Sequence, residues 1–372
     1  MSEATREWRS AADIDPAALP DLEGSALTVL GPVEPAMLGV TLMHEHLFAD
    51  LRRPAHARRP DEDSSEAAEP LTLSNLSRVR NGGSNADNDV IDDVDLVVEE
   101  AAAFVGAGGG TIVDVTGIHM GRHPEGLVEV SRRTGLHVVM GGAYYTPTFH
   151  PRDMDERSVD GIAAEIARDV VEGVAGTGIR SGVIGEVGAE LAPLSPNEWK
   201  SVRAAARASR LTGAPMSFHM GGQGEEKLRV LDVCAEEGVA PENIVMGHAG
   251  GLILDPDLGR RVLERGVFIE LDFLAPTGSP WGHLFLPGDR TMAAGVAELV
   301  DRGHASQLLL GHDVCQKLQL KRYGGKGYDY ISRHFLPVLR TLGVSDEAIR
   351  AIMVDNPARA LAFDPPRPPT MS

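Results

Sequence analysis

The chain has 372 residues, 42% of them hydrophobic and 24% charged, an ordinary composition for a globular protein with a sizeable core. Its formal net charge of -19, from 54 acidic against 35 basic residues, argues against nucleic acid and anionic membrane surfaces as partners, because phosphate contacts need clustered Lys and Arg. Cys234 and Cys315 are too few for a disulfide framework, Met1 to Arg9 lacks the apolar core of a signal peptide, and no uncharged apolar run is long enough to span a membrane; the expected location is the cytoplasm.

Residues 1–25 are polar with scattered Pro and Asp and read as an N-terminal arm, followed by a short strand from Ala26 to Leu30 that Gly31-Pro32 closes. The run Val40 to His46 then ends abruptly in two histidines one residue apart. In a strand, alternate side chains share a face, so His44 and His46 point together and Glu45 points away. Residues 52–93 have little periodicity and read as a long insertion. After it, helix-like segments alternate with short apolar runs almost to the end. Together with Val40 to His46, the strand candidates are Thr111 to Val115, His137 to Met140, Gly182 to Val187, Pro215 to His219, Ile244 to His248, Val267 to Leu271 and Leu308 to Asp313. Helix candidates lie between them, among them Val94 to Val105, Ile162 to Val174, Glu198 to Thr212, Glu225 to Glu237, Pro256 to Arg265, Met292 to Arg302 and Tyr328 to Leu342. Nearly continuous apolar strands imply a parallel sheet covered by helices. Eight such units fit a (β/α)8 TIM barrel over 26–365, with a tail at 366–372, better than an open doubly wound sheet, whose Gly-rich fingerprint is missing after strand one.

Barrel chemistry sits at the C-terminal ends of the strands. Strand one ends in His44 and His46, strand four in Glu186, strand five in His219, strand six in His248 and strand eight in Asp313. From Glu186 to His219 is 33 residues, from His219 to His248 is 29, and from His248 to Asp313 is 65. These separations are one, one and two barrel units of roughly thirty residues each. Four histidines and two carboxylates suffice for two divalent ions, with Glu186 between them and a shared water held as hydroxide at neutral pH. Tyr144, Tyr145, Phe273 and Trp281, near strand ends, are candidates for the pocket wall. His119, His123, His150, His283 and His334 read as surface or hydrogen-bonding residues, and His312 must face away from Asp313.

Gly39-Val-Thr-Leu-Met-His-Glu-His46, Thr111-Ile-Val-Asp-Val-Thr116, Gly185-Glu-Val-Gly188, Ala204-Ala-Ala-Arg207 leading to His219, Gly247-His248, Gly311-His-Asp313 and Asp355-Asn-Pro-Ala-Arg359 resemble, in order and spacing, the phosphotriesterase family of the amidohydrolase superfamily. The resemblance runs from about Leu30 to Phe363. It implies a binuclear metal hydrolase barrel, usually a homodimer, with His44, His46 and Asp313 on a buried ion, His219 and His248 on a more exposed one, and a bridge from strand four. Two positions depart from the better known branches. The bridge, commonly a carboxylated lysine, is Glu186 here, as in the phosphotriesterase homology proteins. The residue after Asp272, a His in triesterases and an Arg in lactonase relatives, is Phe273.

The expected activity is therefore hydrolysis of a small-molecule ester, lactone or amide by a bridging hydroxide, with zinc as the expected metal and manganese or cobalt as alternatives. Asp313 is the expected proton acceptor, and Tyr145 or Tyr144 the expected hydrogen bond to the substrate carbonyl. The rivals are phosphotriester hydrolysis and a barrel that binds a ligand without catalysis. The 52–93 insertion is expected to fold over the mouth and set substrate choice.

Overall fold

The computed structural model describes residues 10–14, 19–275 and 287–367. Eight parallel barrel strands follow in chain order: β1 Val40–Glu45, β2 Gly109–Asp114, β3 His137–Met140, β4 Ile184–Gly188, β5 Met216–His219, β6 Ile244–Met246, β7 Phe268–Leu271 and β8 Leu308–Leu310. β1, β2 and β3 form one hydrogen-bonded ladder, and β4 to β8 a second. Backbone bonds carry the ring across both seams: Gly182 N donates to Met140 O at 2.8 Å, Asp313 N to His44 O at 3.0 Å and His46 N to Val314 O at 3.0 Å. This is the expected (β/α)8 barrel.

Period-two alternation decides what each strand buries. Leu42, Ile112, Val138, Ile184, Ile244, Met246, Ile269, Leu308 and Leu310 face the helices and join the large outer core. Their neighbours Met43, Val113, Val139, Val183, Val245, Phe268 and Leu309 form a separate cluster that fills the barrel axis. Both faces are apolar, so the strands read as continuous hydrophobic runs.

Two of the predicted strands stop two or three residues short. β6 ends at Met246 and β8 at Leu310, because His248 (φ 50) and Asp313 (φ 54) adopt left-handed backbone that leaves the ladder. Pro124–Thr134 adds a helix that the sequence reading did not single out, capped by His123 and closed at Gly135 with φ 76. The segment expected as one helix from Tyr328 to Leu342 is a π turn, Ile331–Phe335, running into an α-helix, Leu336–Thr341. Pro337 has no N–H to give, and the chain widens by one residue around it. Pro357 does the same after Ala351–Asp355.

The N-terminal arm buries Ala11, Ile14 and Leu22 in the outer core, and Ala26–Thr28 pairs with Gly31–Val33 in a hairpin. The insertion is ordered around Leu71, Leu76 and Val79, which pack on Leu318 of the segment after β8. Its last strand, Val90–Ile91, pairs with Ala49–Asp50 beyond β1.

Candidate metal centre

His44 and His46 leave β1 beside each other, and Glu45 between them turns to the seam with β8. There its carboxylate accepts from His312 N at 2.9 Å, His312 Nδ1 at 2.7 Å and Val314 N at 3.0 Å. Three bonds to one fully buried carboxylate fix the backbone on both sides of Asp313. Glycines let the strand ends close in. A Cβ on Gly247 would lie 2.3 Å from Phe218 O, and one on Gly311 would lie 2.9 Å from His44 O.

Glu186 stands in the middle. Its Oε1 is 3.5 Å from His46 Nε2, and its Oε2 is 3.3 Å from His44 Nε2, 3.1 Å from His219 Nδ1 and 3.7 Å from His248 Nε2. Asp313 Oδ1 lies 3.3 Å from His46 Nε2 and 4.0 Å from His44 Nε2, and His248 Nε2 is 2.9 Å from His219 Nδ1. All six predicted residues thus meet at one barrel mouth, with the glutamate carboxylate facing both halves.

Partners behind the rings select the tautomers. Thr116 Oγ1 donates to Phe48 O, so it accepts from His46 Nδ1 at 2.9 Å and leaves His46 Nε2 as a lone pair. Asp272 Oδ1 takes His248 Nδ1 at 2.8 Å and does the same for His248 Nε2. His219 Nε2 lies 3.3 Å from Glu190 Oε2 and 3.4 Å from Tyr145 Oη, turning its Nδ1 toward Glu186. Lone pairs converging on carboxylate oxygens, with acceptors behind the rings, are the donor set of a metal site. His44 makes the same point by default: both its ring nitrogens are buried without a hydrogen-bond partner. Its Nε2 shares the space of Glu186 and His248 on one side and of His46 and Asp313 on the other. The residues fit divalent cations.

Without a cation the rings are held protonated: burial opposes the charged form, but Asp272 and Glu186 outweigh it and raise His44 well above its ordinary range, and Asp272 raises His248 to about 10, so an entering cation would displace these protons. Burial opposes the charged form of Glu186, but His219 and His44 outweigh it and hold the carboxylate well below its ordinary range. Burial likewise opposes ionisation of Asp313, and the His46 bond and the nearby imidazoles outweigh it. Burial pushes the Tyr145 phenol well above 10, and the charges of Glu186 and Asp313 push it further, so it stays protonated and can donate.

The four predicted wall residues separate. Tyr145 faces His219 edge-on with centroids 4.5 Å apart, and Phe273 stacks on His248 at 4.3 Å with the ring planes 7° apart. Tyr144 is a correction: its hydroxyl bonds Glu165 at 2.9 Å and Arg157 at 2.5 Å, and its ring packs near His119 and His150 rather than the four histidines of the centre. It precedes Tyr145 by one residue and so takes the opposite face of an extended backbone. Trp281, with His283, lies outside the described residues. Two of the other histidines do structural work: His150 Nε2 donates to Tyr145 O at 2.9 Å, and His334 packs on Tyr330. Sequence reasoning missed Thr116, Glu190, Glu270 and Asp272 as partners of the rings; only the strand-end positions of Glu270 and Asp272 could have flagged them.

The sequence matches the model of the Phosphotriesterase family over residues 24–361. It is 30% identical over 348 residues to an N-acetyltaurine hydrolase of Tetraodon nigroviridis, covering 92% of this chain and 99% of that protein. A resiniferatoxin-binding protein from Rhodobacter sphaeroides superposes with a TM-score of 0.85 at 37% identity, over 92% of this chain and 97% of that one. The phosphotriesterase homology protein from Escherichia coli, solved with phosphate in its active site, gives a TM-score of 0.71 at 26% identity, over 87% and 99% of the two chains.

Proposed function

This chain belongs to the phosphotriesterase family and is a hydrolase, and from that premise we propose that it cleaves a carboxylic amide or ester, an N-acyl amine first among them, at two divalent ions. His44, His46 and Asp313 would hold the buried ion, His219 and His248 the exposed one, and Glu186 both. The observation that carries the reading is the position of the Glu186 carboxylate between the two histidine pairs. The N-acetyltaurine hydrolase similarity over nearly the whole chain supports an acyl substrate over a phosphotriester. Zinc suits four imidazoles and two carboxylates, and manganese or cobalt would serve in its place.

Two ions held there would lower the pKa of water from about 16 to about 7 and polarise the scissile carbonyl. The chain's own residues do the rest. Asp313, kept anionic, takes the proton of the attacking water and passes it to the leaving amine or alkoxide. Tyr145, kept neutral, donates to the substrate oxygen beside His219. Phe273 covers His248 and gives the pocket an apolar wall suited to an acyl or leaving group. The ordered 52–93 insertion, which the proposal places over the mouth, sets substrate choice. The proposed unit is one barrel domain, in the cytoplasm and as a homodimer; no helix among the described residues is long and apolar enough to cross a membrane.

The test is turnover by zinc-, manganese- or cobalt-loaded protein across esters, lactones, N-acyl amines and phosphotriesters, with a chelated control. Metal-dependent cleavage of an acyl substrate is the expected result. A fully loaded protein that cleaves none of them but binds ligand would favour the non-catalytic reading that the resiniferatoxin-binding protein suggests.

A further inference from the structure

Five carboxylates face the four histidines of the site from behind or between, and one of them has no hydrogen-bond partner of its own. Glu270 lies on β7 two residues before Asp272, on the axis-facing side above Phe268, and is fully buried. Neither of its oxygens makes a hydrogen bond. The basic atom nearest to it is His44 Nδ1, at 3.5 Å from Oε2. Asp272 Oδ2 is also near that nitrogen, at 3.3 Å. Both oxygens of Asp272, however, are already engaged: Oδ2 accepts from His248 N and Oδ1 from His248 Nδ1, each at 2.8 Å.

Hydrogen-bond accounting then divides the work. A buried carboxylate with no donor is costly, and so is a buried imidazole with none. Asp272 already holds a donor from His248 on each oxygen, whereas both oxygens of Glu270 are empty-handed and His44 Nδ1 lies within reach of one of them. We propose that Glu270 is the positioning residue of the buried ion, accepting from His44 Nδ1 so that Nε2 faces the metal, while Asp272 positions His248 for the exposed ion. His46 has Thr116 and His219 has Glu190 for the same purpose, so each ligand imidazole has its own acceptor. Glu270 sits among side chains rather than at the mouth and touches no substrate. Its effect passes through His44 alone.

The proposal rests on the two-ion reading, and one titration separates the two. Zinc competition against a chelator on the full-length protein gives a dissociation constant for each ion. Glu270→Gln is expected to raise one constant about 10- to 100-fold and leave the other unchanged, and Asp272→Asn to raise the other. Thermal melts of the chelated proteins give the second readout. There the unpartnered carboxylate is a liability, so Glu270→Gln is expected to melt no lower than wild type, while its zinc-induced rise in Tm shrinks. If both variants raise the same constant, or Glu270→Gln raises neither, or the chelated variant melts as far below wild type as the loaded one, Glu270 does not position His44. A wild-type protein that takes up fewer than two ions overturns the two-ion reading itself.

Discussion

Replacing Glu45 removes the clasp that holds β8 against β1. Glu45→Ala would strand three buried donors, His312 N, His312 Nδ1 and Val314 N. At about 1–3 kcal/mol for each unsatisfied group, the loss is about 3–9 kcal/mol, comparable with the whole stability of an ordinary domain. Glu45→Gln is the more informative change, since it keeps the shape. The tautomer of His312 is set by Ile331 N, which donates to Nε2 at 3.1 Å, so Nδ1 must donate toward position 45. A glutamine can place its carbonyl against the two His312 donors, but its NH2 then meets Val314 N, donor against donor. One bond is lost and two fall from charged to neutral, a cost of about 2–4 kcal/mol. Because Asp313 lies between the two anchored residues, zinc affinity should fall along with the urea midpoint. The assay pairs urea unfolding of the chelated protein with zinc content after gel filtration. A Glu45→Gln protein with a wild-type midpoint and full zinc content would refute the reasoning.

Glu186→Gln should cost the exposed ion most, because it removes the negative charge between the two histidine pairs, and Glu186→Asp should lose activity for want of reach; elemental analysis and kcat/KM check both, and reconstitution should proceed without added bicarbonate because the proposed bridging side chain is a carboxylate from the start. Phe273→Ala strips the ring that stacks on His248, a loss of about 1–3 kcal/mol in packing that should appear as lower kcat/KM on the best acyl substrate with zinc content unchanged; unaltered kcat/KM would mean that the ring does not wall the pocket.

Much of the site was legible along the chain because the βα unit is a local repeat. Each apolar run announces the end of its strand to within two or three residues, so a histidine or carboxylate at or just past that end is placed at the mouth before any tertiary contact is known. His44, His46, Glu186, His219, His248 and Asp313 are all of this kind. Tyr144 and Tyr145 are not. Which of two neighbouring tyrosines faces the axis depends on a one-residue matter of pleat, and the structure turns Tyr145 inward and sends Tyr144 out to Glu165.

The sequence by itself determined the barrel, through eight apolar runs at regular spacing, and the chemical identity of the mouth, through the residue that ends each run. Only the tertiary structure decided which acceptor stands behind which ring. Thr116 comes to His46 from just past the next strand, Glu190 reaches His219 from just past the end of β4, and Glu270 and Asp272 meet His44 from β7, two strands around the barrel. No periodicity encodes these pairings, because they depend on the shear of the closed sheet and on the bulge between Leu42 and Glu45 that sets the register of β1 against β2. A strand's pattern reports which face a side chain takes, whereas its partner across the axis is fixed only when the ring closes.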